Sequence, residues 1–461
     1  MRHHDLVVLG AGSGNAVIDD RFAGLDVAIV EPGPFGGTCL NRGCIPSKML
    51  AHTADLADTV RDAPRFGVAA TAEGVRWNEV RGRVFGRLDR HAAEGEQGRR
   101  NAEFITVYHG RARFTGARTL LVQGEGGELP ITADQVVVAV GGRPVVPPPV
   151  RDSGLPYETS DTVMRLAAPP RHLAVLGGGY IAAELAHVFH AAGSRITVVE
   201  QHDTLLAPQD ESVSRAYTRI ARARYDVRTG TRLTRLEGQP GELRLVLDDG
   251  SVVAADQLLV AVGRTPNSDS LDADRAGIAL REDGRIVVDA HQRTTAPGVF
   301  ALGDVCTPVP LKHVANREAH VVAHNLLHPD DLASTSHRVV PAAVFTSPRI
   351  AQVGRTEQDC RREGLAYRTS VRRYADVAYG WALEDTTGFC KVIAEPGTGR
   401  LLGAHILGPQ ADTLIQPLVI AMTLDIDAAT LAGAPYWIHP ALTEVVVNAL
   451  LDLDLEPGHQ G

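Results

Sequence analysis

Leu6-Val7-Val8-Leu9-Gly10-Ala11-Gly12-Ser13-Gly14-Asn15 decides the fold. A short apolar run breaks at closely spaced glycines, and the pattern then turns helical. The next apolar run, Val27-Ala28-Ile29-Val30, closes on Glu31. The chain repeats this arrangement once. Leu173–Leu176 enters Gly177-Gly178-Gly179-Tyr180-Ile181-Ala182, a helix is expected over 183–192, and a strand over 195–199 closes on Glu200. In each copy the first glycine (Gly10, Gly177) allows a tight turn, and Gly12 or Gly179 lets the backbone approach a pyrophosphate. The helix start offers unpaired N–H groups and a positive dipole end. The closing acid accepts hydrogen bonds from a ribose diol. One such loop is weak evidence. Two, each with strand, helix and acid in sequence, predict an α/β chain with two Rossmann-like dinucleotide-binding domains.

Just beyond the first unit stands Gly36-Gly37-Thr38-Cys39-Leu40-Asn41-Arg42-Gly43-Cys44-Ile45-Pro46-Ser47-Lys48. Two cysteines separated by four residues, next to a dinucleotide site, point to a redox disulfide beside a flavin. Disulfides of cytosolic proteins are usually catalytic or redox-sensing. Two buried thiols, or half of a zinc site, are the other readings, but zinc needs a second Cys/His pair and none is present. No metal site is expected. Cys306, Cys360 and Cys390 stand singly and read as small core residues. The chain has only three lysines, Lys48, Lys312 and Lys391, so a lysine inside this motif carries weight.

The 461 residues suffice for about three domains, and 44% hydrophobic with 22% charged residues is ordinary globular composition. A net charge of −9 argues against nucleic-acid binding, which needs a basic face. No signal-peptide pattern and no bilayer-length apolar run are seen, so a cytoplasmic protein without membrane contact is expected.

Two later stretches echo each other: Val136-Val137-Val138-Ala139-Val140-Gly141-Gly142-Arg143-Pro144 and Leu258-Leu259-Val260-Ala261-Val262-Gly263-Arg264-Thr265-Pro266. Each closes one nucleotide unit, and the prolines from Pro144 to Pro149 read as a hinge. Val299-Phe300-Ala301-Leu302-Gly303-Asp304 is a buried strand that delivers a carboxylate close to backbone. After about Ser336 alternating segments predict a sheet, with helices near 411–424 and 441–451, Pro440 lying at a favourable first-turn position of the latter.

Taken together, these motifs resemble the pyridine nucleotide–disulfide oxidoreductases of the glutathione reductase and dihydrolipoamide dehydrogenase type, over essentially the whole length. The resemblance implies an FAD domain (1–150), an inserted NAD(P) domain (151–268), a return to the FAD domain (269–335) and a C-terminal α+β dimerisation domain (336–461). It also implies an enzyme passing electrons from NADPH or NADH through FAD and a Cys39–Cys44 disulfide to a small-molecule disulfide. Cys44 would face the flavin and Cys39 the substrate. Lys48 would lie beside the flavin, paired with Glu184. Gly10, Gly12, Gly14, Glu31, Gly37, Thr38, Gly141, Gly303 and Asp304 would hold FAD, and Gly177, Gly179, Ile181, Glu200 and Gly263 the NAD(P)H. His439, oriented by Glu444, would be the acid–base and would reach the cysteines from the second subunit of a homodimer. Imidazole titrates near working pH, which suits protonation of a thiolate leaving group.

Four segments narrow the resemblance to the branch acting on mycothiol disulfide: Gly12–Asn15 with Asp19 and Asp20, Ser160–Met164, Asp376–Ala382, and Tyr436–Leu442. Asn15 replaces the usual third glycine. Asp19 and Asp20 stand where an arginine for glutathione carboxylates is expected. Glu200 disfavours a 2′-phosphate and suits NADH, whereas the branch favours NADPH. The same motifs fit a dihydrolipoamide dehydrogenase. A non-catalytic FAD-binding regulator is the reading from a different class.

Overall fold

The computed structural model describes residues 1–455. Its first sheet grows from the parallel pair Arg2–Leu9 and Gly127–Val138. Val27–Glu31 and Ile105–His109 extend it on one side, and Val299–Ala301 joins the far edge of Gly127–Val138, all in parallel. Val7, Val8 and Val136–Val138 are fully buried, because a parallel sheet is covered on both faces and selects continuous apolar runs. The start of Gly127–Val138 instead pairs antiparallel with Thr119–Gly124.

The second sheet is wholly parallel, in the order 226–229, 195–200, 172–176, 257–260, 158–159. A three-stranded antiparallel meander, Leu233–Gln239, Glu242–Leu247 and Val252–Ala255, packs beside it. The third sheet is wholly antiparallel, in the order 342–344, 350–354, 401–407, 389–394, 368–373. Helices Gln416–Thr423 and Thr443–Leu451 share its core. The fold is thus α/β with two dinucleotide-type sheets and a C-terminal α+β unit. No helix among the described residues is long and apolar enough to cross a membrane.

Three local expectations are corrected. The helix after the first glycine loop is replaced by two 3-10 turns, Gly14–Ala16 and Asp20–Phe22. Arg99 enters here from the helix Trp77–Asn101: Nη2 donates to the carbonyls of Asn15 (2.8 Å) and Ile18 (2.9 Å), and Nε to Asn15 Oδ1 (2.7 Å). A guanidinium therefore takes acceptors that a continuing helix would use. Pro440 lies ahead of the last helix rather than in its first turn, since that helix runs Thr443–Leu451. The proline-rich hinge is partly ordered: Gly142–Pro144 pairs antiparallel with Arg264–Pro266, so the two echoing stretches hydrogen-bond to each other, and Pro148–Arg151 forms a helical turn.

The second and third units are joined by a buried charge cluster. Lys391 Nζ donates to Asp210 at 2.8 and 3.0 Å and to Glu357 at 2.6 Å. Asp210 also caps the helix Glu211–Arg224 and accepts from the Glu357 amide. These contacts hold Asp210 well below the usual carboxylate range against the raising effect of burial. Removing one member of a buried pair strands the other charge, at a cost of about 3–5 kcal/mol. Lys391→Met is therefore expected to lower the chemical-denaturation free energy by about that amount. A loss below about 1 kcal/mol, the range of exposed pairs, would show that water screens the cluster.

Candidate functional site

A single cleft of about 620 Å³ runs between the first sheet, the second unit and the helix that follows Asp304. The backbone at its floor is packed too tightly for side chains: a Cβ on Gly37 would stand 2.7 Å from Gly12 Cα. Gly14 lies beneath the loop rather than in the cleft, and a Cβ there would meet Ala139 and Val8 at 2.8 and 2.9 Å. Asn15 in place of a third glycine therefore leaves the strand–turn contact intact.

The closing acids use their carboxylates identically. Glu31 accepts from the amides of Ala11 (2.7 Å) and Gly33 (2.9 Å). Glu200 accepts from Gly178, the residue equivalent to Ala11, and from His202 at 2.8 Å. The internal repeat thus extends to individual hydrogen bonds. Burial raises Glu31 above the ordinary carboxyl value, and its two backbone donors oppose the rise.

Cys39 lies on the helix Gly37–Arg42, and Cys44 opens the helix Cys44–Asp62. Gly43 makes the break between them, where a Cβ would come within 2.9 Å of the Thr38 carbonyl. Cys44 thus sits at a helix N-terminus, where the dipole favours a thiolate. Both cysteines are free thiols. A hydrogen bond from Cys39, then the Lys48 ammonium, pulls Cys44 down to about 6 against burial. The same hydrogen bond and burial push Cys39 up. These opposite shifts favour the thiolate on Cys44 and the remaining proton on Cys39.

Lys48, one helical turn after Cys44, donates to both oxygens of Glu184 at 2.8 and 2.7 Å. Glu184 is buried on the helix Tyr180–Ala191 and also accepts from the Phe345 amide at 3.0 Å. Lys48 further lies 4.9 Å from the centre of the Phe345 ring.

The cleft brings together Gly10, Gly12, Glu31, Gly37, Thr38, Cys39, Cys44, Lys48, Gly141, Ile181, Glu184, Gly303 and Asp304. It does not include Gly14, Gly177, Gly179, Glu200 or Gly263. Nor does it include His439, which is 71% exposed on the C-terminal unit, its Nδ1 2.8 Å from Glu444. One chain therefore does not unite His439 with the cysteines. Cys306, Cys360 and Cys390 are buried, burial raising all three thiols, Cys390 to about 12.

Several participants escape sequence reasoning. Glu318, buried, accepts from the Gly303 amide at 2.7 Å and pairs with His337 at 3.0 Å. Arg264 donates to the Gly142 carbonyl and stands 3.7 Å from Asp304. Lys312 donates to Ser13 Oγ at 2.9 Å. Glu318 and Lys312 have no motif around them, and the echoing stretch that holds Arg264 does not mark its reach to Asp304. Asp19 is taken up by Arg21, Nη2 to Oδ2 at 2.7 Å, so of the two acids read as screening a substrate, only Asp20 is left exposed and without a salt bridge.

The cleft fits a dinucleotide: a glycine floor that side chains would fill, lined also by a half-buried ribose-type acid, Glu31, and by the cysteine pair. Residues 4–319 match the pyridine nucleotide-disulphide oxidoreductase family, and 340–450 its dimerisation domain. The chain is 51% identical to a mycothione reductase of Mycobacterium tuberculosis over 98% of this chain and all of that protein. It is 32% identical to a dihydrolipoyl dehydrogenase of Vibrio cholerae over 96% of this chain and 94% of the other. Among solved structures, the HOCl-induced flavoprotein disulfide reductase RclA of Escherichia coli, in a Cu(II) complex, superposes with a TM-score of 0.86 at 26% identity, covering 98% and 99% of the two chains.

The Cys44 thiolate gives a direct test. Thiolate absorbance near 240 nm in the reduced protein is expected to rise by one equivalent with a midpoint of about 6. Cys39→Ala should move that midpoint upward, because the leading contribution is removed. A midpoint still near 6 in this variant would transfer the effect to Lys48 and the helix dipole.

Proposed function

The chain belongs to the pyridine nucleotide-disulphide oxidoreductases, and we propose that within this family it reduces mycothiol disulfide to two thiols with electrons from NAD(P)H. The observation that carries the reading is the cleft itself. It sets a thiolate-bearing cysteine pair and the Lys48–Glu184 ion pair at one end of a dinucleotide cradle. The 51% identity to a mycothione reductase, against 32% to a dihydrolipoyl dehydrogenase, favours mycothiol disulfide over lipoamide.

The cradle's glycines, Glu31 and Asp304 bind FAD, and the second glycine loop with Glu200 binds NAD(P)H. Bound FAD supplies the two-electron link between the nicotinamide and the Cys39–Cys44 pair. Lys48 holds a positive charge at that junction, and Glu184 fixes its ammonium there. In the reduced pair, Cys39 passes its proton to the neutral His439 imidazole, and its thiolate attacks one sulfur of the substrate. The Cys39–substrate bond forms as the substrate S–S bond breaks, and the departing thiolate takes a proton from the His439 imidazolium. The Cys44 thiolate then attacks Cys39 Sγ, the Cys39–substrate bond breaks as the internal disulfide closes, and the second thiolate leaves to take a proton from solvent.

The matched dimerisation domain marks the chain as a homodimer. His439 is exposed within its own chain, and it acts on the cysteines of the partner. The enzyme works in the cytoplasm, where its donor keeps the pair reduced.

Cys44→Ser is expected to leave flavin reduction by NAD(P)H intact and abolish disulfide turnover; steady-state turnover at the wild-type rate would overturn the assignment. His439→Ala should lower kcat/KM for the disulfide by about 10²–10⁴, the usual range for a lost general acid, without slowing flavin bleaching. A panel of disulfides run with both donors tests substrate and donor together. Mycothiol disulfide should exceed lipoamide and glutathione disulfide. kcat/KM for NADH should equal or exceed that for NADPH, since the Glu200 carboxylate repels a 2′-phosphate. A strong NADPH preference would assign that phosphate to His202 or a neighbouring arginine.

A further inference from the structure

Two of the three lysines are neutralised. Lys48 is paired with Glu184, and Lys391 with Asp210 and Glu357. Lys312, first residue of the helix Lys312–Leu327, makes no ion pair among the described residues. Among the described residues its one side-chain hydrogen bond runs to Ser13 Oγ, at 2.9 Å. Ser13 follows Gly12, whose Cα packs on Gly37 at the start of the Cys39 helix. Lys312, Ser13 and Cys39 all line the same cleft. A partly buried ammonium stabilises an anion that forms beside it in the cleft.

We propose that Lys312 is a positioning residue for the substrate-facing cysteine: anchored on Ser13, its ammonium keeps positive charge beside Cys39 while that sulfur is a thiolate. This rests on the disulfide-reductase reading and deepens it. The two sulfurs of the pair thereby have separate cations for the steps in which each is a thiolate, Lys48 toward Cys44 and Lys312 toward Cys39. Electrostatics agree: Cys39 is pushed up by its hydrogen bond to Cys44 and by burial, and is pulled down first by Lys312 and then by Lys48. The other charged groups of the cleft near the pair are Glu184, held by Lys48, and Arg42, which stands 3.6 Å from Asp161. Lys312 transfers no proton. In the exchange step the Cys39 sulfur bonds to the substrate sulfur, the departing thiolate takes its proton from the partner subunit's His439, and the ammonium remains charged throughout.

The test uses reduced holoenzyme and the rate of iodoacetamide alkylation across pH. Trypsin cleaves after Arg42 and Lys48, so Cys39 and Cys44 fall on separate peptides and are scored independently by mass spectrometry. A nearby charge moves a thiol by about one pH unit or more. Lys312→Met is therefore expected to slow Cys39 alkylation at pH 7 about tenfold and to raise its pH midpoint, without slowing Cys44. Lys312→Arg should restore the rate to within about threefold. An unchanged Cys39 rate in Lys312→Met, or an arginine variant as slow as the methionine one, would overturn the proposal. Alkylation needs no turnover, so the two readings separate. If wild-type enzyme ignored mycothiol disulfide while Lys312→Met still slowed Cys39, the substrate assignment would fall and the role of Lys312 would stand.

Discussion

The Lys48–Glu184 ion pair is the contact on which the site depends. Lys48 belongs to the first nucleotide unit, Glu184 to the second, and the amide held by the same carboxylate belongs to Phe345 in the C-terminal sheet. Three separately folded layers therefore converge on one buried carboxylate. Buried ion pairs seldom stabilise more than an apolar contact of equal volume would. What this one provides is registration: if any of the three layers shifts, the carboxylate loses a donor. The cost of desolvating Glu184 is offset by three donors, Lys48, Ser47 and the Phe345 amide, with the helix dipole of Tyr180–Ala191 behind them.

Both nucleotide units were legible in the sequence, because the physics that makes them is local. A buried parallel strand must be apolar, the turn after it needs glycine, and the closing acid is reached within one strand–helix–strand passage. The equivalence of Glu31 and Glu200, down to the donors each accepts from, follows from that local rule. The cysteine motif was legible for the same reason. Arg99 was not. It reaches the first loop from a helix more than eighty residues away, and its effect is to substitute for helical hydrogen bonds that the local pattern predicts. Glu318 and Lys312 escaped likewise, since each acts across the fold on a backbone or hydroxyl group that no periodicity marks. His439 was named from its motif, but its place relative to the cysteines is a property of two chains.

The two cysteines divide their labour through charge rather than through identity of environment. Cys44 begins a helix and shares Lys48; Cys39 lies in the preceding short helix and donates to Cys44. The charge is thereby favoured on Cys44, so Cys39 must shed its proton to a base before it attacks, while Cys44 is already charged for the resolving step. The remaining cysteines are buried and stay protonated, so they do not compete as nucleophiles.

The ribbon formed by Gly142–Pro144 and Arg264–Pro266 bears on how such a chain arose. The polypeptide leaves the first unit and returns to it along two adjacent antiparallel strands, about 4.8 Å apart. Everything between those strands is a cassette whose two ends meet at one doorway. A recombination event that spliced in a whole nucleotide-binding module at this doorway would leave every strand of the host sheet in its old register. The matching glycines at Gly10/Gly177 and Gly12/Gly179, and the matching acids Glu31 and Glu200, are what a duplicated gene segment inserted into its own parent would leave behind.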